Sequence, residues 1–258
     1  MVVTFIPCMD VAICVIMVNM MWLWIVATVV AFYIKGLCGF ANTLVFDSIL
    51  GFGVSNVEIA PVELILSYPA NIVLTWQNRD KLKKHIFVPI MLMVLGGSVV
   101  GAFLLKSLDV KLLKMIFGIV VTLVGADMLR KEYAKTSNQS PRWVLAIMGI
   151  ASGLLCGLFG VGVLVAAYVS EITETASEFK ANLSIVFIAE NTVRIITYMA
   201  LGVITFATIK HVLILIPFML LGLFAGMFSA KVLDEKLVKK LVIVLLIISG
   251  VVLFIKNM

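Results

Sequence analysis

Arg194 stands inside an apolar stretch, Ala181 to Leu201, with Glu190 one helical turn before it. At a spacing of i and i+4 the two side chains share a helix face. A charge at a helix centre in hydrocarbon costs roughly 2.5 to 3.5 kcal/mol on insertion scales, so such a residue is rare without a reason. Two readings stand side by side. The pair neutralises itself and pins its helix to its neighbours, or Arg194 takes the negative charge of a substrate while Glu190 carries a coupling proton. Asn191 lies beside them, with Asn182 and Ser184 nearby in sequence. In the first half, Glu63, Ser67, Pro69 and Asn71 make a polar, proline-interrupted face of the same kind. Asp47, in a short apolar segment, is a second proton-coupling candidate. Glu171, Glu174 and Glu178 read as a solvated loop.

Two glycine clusters are the other candidates. Gly36-Leu37-Cys38-Gly39-Phe40-Ala41-Asn42-Thr43 and Gly157-Leu158-Phe159-Gly160-Val161-Gly162 both interrupt apolar sequence. A glycine in a helix interior costs about 1 kcal/mol relative to alanine, so something must require these. Close helix packing of the small-xxx-small type is one explanation. The other is a break that exposes the N-terminus of a short helix, whose unpaired N–H groups and positive dipole end attract an anion. Two such ends facing each other would form a cradle made by Gly36, Gly39, Gly157, Gly160 and Gly162. Asn42 and Thr43 would add donors.

The clusters are part of a longer repeat. Gly36, Leu37, Gly39 and Ala60 recur 121 residues later as Gly157, Leu158, Gly160 and Ala181. Gly97, Gly101, Leu108, Asp109, Lys111, Leu112, Lys114 and Gly125 recur at 125 as Gly222, Gly226, Leu233, Asp234, Lys236, Leu237, Lys239 and Gly250. Secondary transporters are frequently built from internal repeats, with the substrate site where the repeats meet near the bilayer midplane.

Composition names the solvent. With 63% apolar and 13% charged residues, the chain has too little polar surface to cover a water-soluble globule of 258 residues. It reads as an all-α polytopic membrane protein with four to five helical segments per repeat. The N-terminal repeat spans 1–130, a basic linker 131–142, and the C-terminal repeat 143–258. Segments near 41–54 and 161–171 are too short for about 30 Å of hydrocarbon and read as half-helices or re-entrant pieces. No basic n-region precedes Lys35, so the N-terminus reads as retained rather than cleaved.

Charge orients the halves. Arg79, Lys81, Lys83 and Lys84 in one loop, and Arg130, Lys131, Lys135 and Arg142 in the linker, mark the cytoplasmic side. Trp76 and Trp143 flank them as interface anchors. In the second half the loop near 201–208 is uncharged, while Lys231, Lys236, Lys239 and Lys240 crowd the next one. That reversal predicts inverted repeats with both termini outside. The net charge of +6 follows from these loops and does not call for nucleic acid.

An apolar run, then G-x-x-G and small residues, repeated after a basic linker, with a Gly-x-x-x-Gly helix and a leucine-Asp-Lys hairpin closing each half, resembles the sulfite exporter TauE/SafE family. The resemblance covers roughly residues 20 to 256. It departs at Phe40-Ala41-Asn42, Phe46-Asp47-Ser48 and Val161-Gly162-Val163, where the family often has a glycine triplet and then a proline. It implies a transporter of sulfite, organosulfonates or related small anions in a bacterial or archaeal cytoplasmic membrane.

No H-E-x-x-H, G-x-S-x-G, Walker loop or CxxC occurs, so the chain offers no local enzymatic signature and no call for a cofactor or metal. The expected activity is therefore alternating-access transport of a small anion. The rivals are an anion channel and a carrier of carboxylates; a membrane redox protein using Cys38 and Cys156 is a distant third. The expected partners are the anion and membrane lipids, with a homodimer as a further option that no interface motif marks.

Overall fold

The computed structural model describes residues 7–50, 54, 56–104, parts of 118–130, 162–256 and 258. The described elements are helical: α1 (Pro7–Cys38), α2 (Asn42–Leu50), α3 (Asn56–Gln77), α4 (Lys84–Leu104), α5 (Val163–Ile172), α6 (Ala176–Ala200), α7 (Phe206–Val232) and α8 (Glu235–Lys256), with a single 3-10 turn at Arg79–Lys81. In hydrocarbon every backbone polar group must be satisfied internally, so apolar runs of this length become helices. Among the described residues, four segments are long and apolar enough to cross a membrane: Met21–Cys38, Glu58–Gln77, Ala176–Ala200 and Phe206–Val232. The helices α2 and α5, of 9 and 10 residues, are only about 14 and 15 Å long at 1.5 Å per residue.

Local signals set the element ends. Thr175 caps α6, its hydroxyl accepting from the Glu178 N–H in a T-x-x-E start, and Thr205 with Thr208 forms a reciprocal capping box on α7. Gly39, at φ 89°, stops α1, and Ala41, at φ 70°, turns the chain into α2. A left-handed alanine costs roughly 1 to 2 kcal/mol, a strain tolerated where the surroundings over-determine the backbone.

The α1 helix runs beside α7 in the same direction, and glycine makes this possible. A Cβ at Gly222 would lie 2.4 Å from the Val29 carbonyl oxygen, one at Gly226 2.0 Å from that of Tyr33, and one at Gly36 2.3 Å from that of Leu223. Gly36 is therefore a packing residue inside α1, and the helix break lies three residues later. Replacing Gly226 with alanine should force α1 and α7 apart. The expected loss is about 1 to 3 kcal/mol, read as a lowered unfolding temperature in detergent.

Helices α3 and α6 lie antiparallel. Asn182 near the start of α6 bonds to the Lys81 carbonyl beyond the end of α3, while Thr192 farther along α6 meets Tyr68 farther back in α3. Glu178, expected in a solvated loop, is instead buried in the first turn of α6 and paired with Lys83 at 2.8 Å. That hydrogen bond holds the Lys83 ammonium above its ordinary range. The loop reading fails because α6 begins earlier than the apolar pattern suggests and closes against the α3–α4 turn.

Two apolar cores result. One gathers Cys38, Phe40 and Ala41 with α4, α5 and α6; the other gathers α1, α2, α3 and α7 around Phe32, Phe46, Leu66 and Leu215. Trp22, Leu92, Leu213 and Phe228 point outward, each at least 60% exposed, an apolar rim that suits lipid.

Candidate functional site

Lys35, in the last turn of α1, is 1% exposed, and its Nζ donates to Asn42 Oδ1 at 2.9 Å. Asn42, the first residue of α2, then donates through Nδ2 to Glu63 Oε1 and to Ser67 Oγ on α3. Thr43 Oγ1 and Ser67 Oγ also donate to Glu63 Oε1, at 2.9 and 2.6 Å. The chain break after Cys38 thus lets a buried cation, the N-terminus of a half-helix and a buried carboxylate meet within one network. Pro69 lacks an N–H and loosens α3 nearly two turns beyond Glu63, where the polar face lies.

This network walls a cavity of about 40 Å³ that also touches Asn71, Gly162, Phe187, Glu190, Asn191 and Arg194. A water fills about 10–15 Å³ on this measure, so the space suits roughly three or four heavy atoms, a small oxyanion. Both half-helices begin here: α2 presents Phe40 to Leu44, and α5 presents Gly162, the residue before its first turn. Their N–H groups and dipole ends favour negative charge. Arg194 lies 3.4 Å from Glu190 and over the Tyr198 ring at 5.7 Å. Asn71, 1% exposed, has neither amide atom hydrogen-bonded among the described residues.

Of the residues singled out from sequence, Asn42, Thr43, Asn71, Gly162, Glu190, Asn191 and Arg194 all line this cavity. Gly36 and Gly39 do not. Gly36 packs against α7, and Gly39 lies over Lys180, whose Nζ caps α1 through the Gly36 carbonyl at 3.0 Å. Asp47 is half-buried and sits a turn along α2 from the cavity wall. Gly157, Gly160, Cys156 and the 131–142 linker lie outside the described residues. Cys38 is free and fully buried in apolar surroundings.

Sequence reasoning passed over Lys35, which sits at the edge of an apolar run. The available signal was its position directly before the Gly36–Thr43 glycine cluster. A second, larger cavity of about 400 Å³ opens where α3 and α7 end and α6 begins, bordered by Gln77, Asn78, Ser177, Lys180 and Lys231.

A family model for the sulfite exporter TauE/SafE matches residues 23–253, nearly the whole chain. The chain belongs to the TauE/SafE family. No curated protein and no solved structure matches it. As a TauE/SafE protein it is a multi-pass membrane protein of a transporter family, and the four described helices long and apolar enough to span agree with that. In this TauE/SafE chain the α1–α2 break delivers Asn42 and Thr43 to the cavity.

Proposed function

We propose that the protein is a secondary carrier that moves a small sulfur-containing anion, sulfite or a close relative, across the cytoplasmic membrane of a bacterium or archaeon. Transport proceeds by alternating access between two inverted repeats. The observation that carries the reading is the convergence of both half-helix N-termini on one buried cavity beside Lys35 and Arg194. The repeat is supported by element order, since a half-helix and two long helices follow each other at 42–50, 56–77 and 84–104, and again at 163–172, 176–200 and 206–232. Inversion is supported by the antiparallel course of α3 and α6, which occupy matching places in the two halves. Irregular backbone at depth is tolerated where protein buries it or where it lines a cavity, and the Gly39–Ala41 break meets that condition.

Cavity size favours sulfite over a longer organosulfonate such as taurine. The larger cavity beside the Arg79–Lys84 turn offers a cationic approach from the expected cytoplasmic side. A channel would use the same helix ends but needs a continuous polar path, whereas the described residues place the Lys35–Asn42–Glu63 network between two apolar cores.

Uptake of labelled sulfite, taurine, sulfoacetate and thiosulfate into liposomes carrying the purified protein tests this. Saturable sulfite uptake is expected, falling about tenfold or more in Arg194→Ala and in Asn42→Ala, because each removes a charged or charge-coupled donor worth roughly 1.5 to 3 kcal/mol. Uptake unchanged in both variants would move the site elsewhere. Conductance far above carrier turnover would select a channel.

A further inference from the structure

One oxygen atom, Glu63 Oε1, collects the side-chain donors of Asn42, Thr43 and Ser67. Two of these belong to the first turn of α2, where an anion would find its donors. Glu63 is 3% exposed, and Lys35 reaches it only through the Asn42 amide. A carboxylate at this depth is costly unless its charge is compensated and hydrogen-bonded. One and two turns farther along the same face of α3 stand Ser67 and Asn71. The Asn71 amide, nearly fully buried, lines the same cavity with no hydrogen-bond partner among the described residues. The site therefore has its own carboxylate in the anion's seat and an unused amide facing it.

We propose that Glu63 is a resident stand-in for the substrate and the proton carrier of the transport cycle: an entering anion displaces it from Asn42 and Thr43, and the released carboxylate takes up a proton. This rests on the transport reading above. The proton comes from a hydronium ion in the water that enters with the anion, and neutral water is left behind. An O–H bond forms on Glu63 and breaks on the other side of the membrane, when the anion leaves and Asn42 and Thr43 return to the carboxylate. Charge balance requires this. Among the described residues, the cavity wall carries two cations, Lys35 and Arg194, against two carboxylates, Glu63 and Glu190. A monoanion alone would leave net negative charge in a low dielectric, and one proton per monoanion restores neutrality.

Glu63 suits this task better than Glu190, which has the Arg194 guanidinium directly against it at 3.4 Å. The donors on Glu63 are neutral and can transfer to an incoming anion. Among the described residues, the charged and titratable groups on the helices around it are Tyr33, Lys35 and Cys38 on α1, Asp47 on α2, and Glu58 and Tyr68 on α3 itself. On α6 they are Glu178, Lys180, Glu190, Arg194 and Tyr198, and α7 carries Lys210 and His211 near its start and Lys231 at its end.

Calorimetric titration of sulfite into the detergent-solubilised protein, repeated in two buffers of different ionisation enthalpy, counts protons taken up per anion. The wild type and Glu63→Gln are expected to differ by about one proton per sulfite, a difference in which the anion's own protonation cancels. Glu63→Asp, which keeps a carboxyl, should restore the wild-type count. In liposomes Glu63→Gln should lose the acceleration of sulfite transport that an acidic exterior gives. An equal proton count in wild type and Glu63→Gln, or gradient-driven accumulation persisting in that variant, would overturn the role of Glu63 and leave the transport reading intact. Should Glu63→Gln not fold, the wild type decides alone, because sulfite binding with no buffer-dependent heat overturns the proposal. No binding of sulfite, thiosulfate or taurine to the wild type would defeat the transport reading, and this one with it.

Discussion

Lys35→Met is expected to lower anion affinity about 10- to 100-fold, because it removes the buried ammonium that polarises Asn42 and balances the carboxylates of the cavity. A methionine fills nearly the same volume, so the packing between α1 and Phe187, whose ring centre lies 6.0 Å from Nζ, should survive. The charge is what is lost. Removing one member of a buried charged network leaves the other uncompensated, and such losses cost about 3 to 5 kcal/mol where the partners touch directly. Lys35 and Glu63 are separated by the Asn42 amide, so the stability loss should be smaller. The double variant Lys35→Met/Glu63→Gln separates the two effects. It removes both charges, and its unfolding temperature should recover toward the wild type while its affinity for sulfite stays low. Recovery of affinity along with stability would reduce Lys35 to a counter-ion for Glu63. Thermal unfolding and sulfite titration on the same samples read both quantities.

Gly162→Ala is expected to reduce transport about tenfold or more without unfolding the protein. A Cβ there would stand 2.2 Å from Cε1 of Phe187 and 2.3 Å from Cζ, and Gly162 has an ordinary backbone, φ −80°, that alanine adopts freely. The clash is therefore with a side chain rather than with the backbone. Phe187 lines the cavity, so its displaced ring must take space from a volume of about 40 Å³. Overpacking of this kind costs roughly 1 to 3 kcal/mol, here charged against the bound state. Phe187→Ala removes the obstacle, and Gly162→Ala/Phe187→Ala should transport better than Gly162→Ala alone, a coupling expected of residues in contact. Non-additivity of that sign, measured as initial rates of sulfite uptake, would show that the α5 N-terminus acts through the cavity. Equal rates in the single and double variants would show that it does not.

Much of this site was legible in the sequence. Arg194 and Glu190 announce themselves because ionisable residues one turn apart in an apolar run are too expensive to be accidental. Asn42, Thr43 and Gly162 follow from glycine clusters whose cost in a helix demands an explanation. The short lengths of α2 and α5 follow from counting apolar residues against bilayer thickness. Which of the glycines makes the break was not legible. Gly36 and Gly39 look alike in a string of letters, yet one stays helical and packs against the Leu223 carbonyl, 187 positions away, and the other adopts φ 89°. Glu178 was misread for a related reason. Its partner Lys83 sits across the α3–α4 turn, and no local pattern announces a pair 95 residues apart.

The sequence by itself determined the solvent, the helical class, the family and the places where charge must be buried, because each follows from what local stretches of chain cost in hydrocarbon. Tertiary structure alone decided which buried charges face one another. Lys35, Asn42 and Glu63 join only because α1 breaks at Gly39 and α2 folds back against α3, and Asn71, Gly162 and Arg194 complete the wall only because α6 runs antiparallel to α3. Hydrogen bonds and Coulomb forces act through a few ångströms of space, whereas the spacing of letters records only distance along the chain.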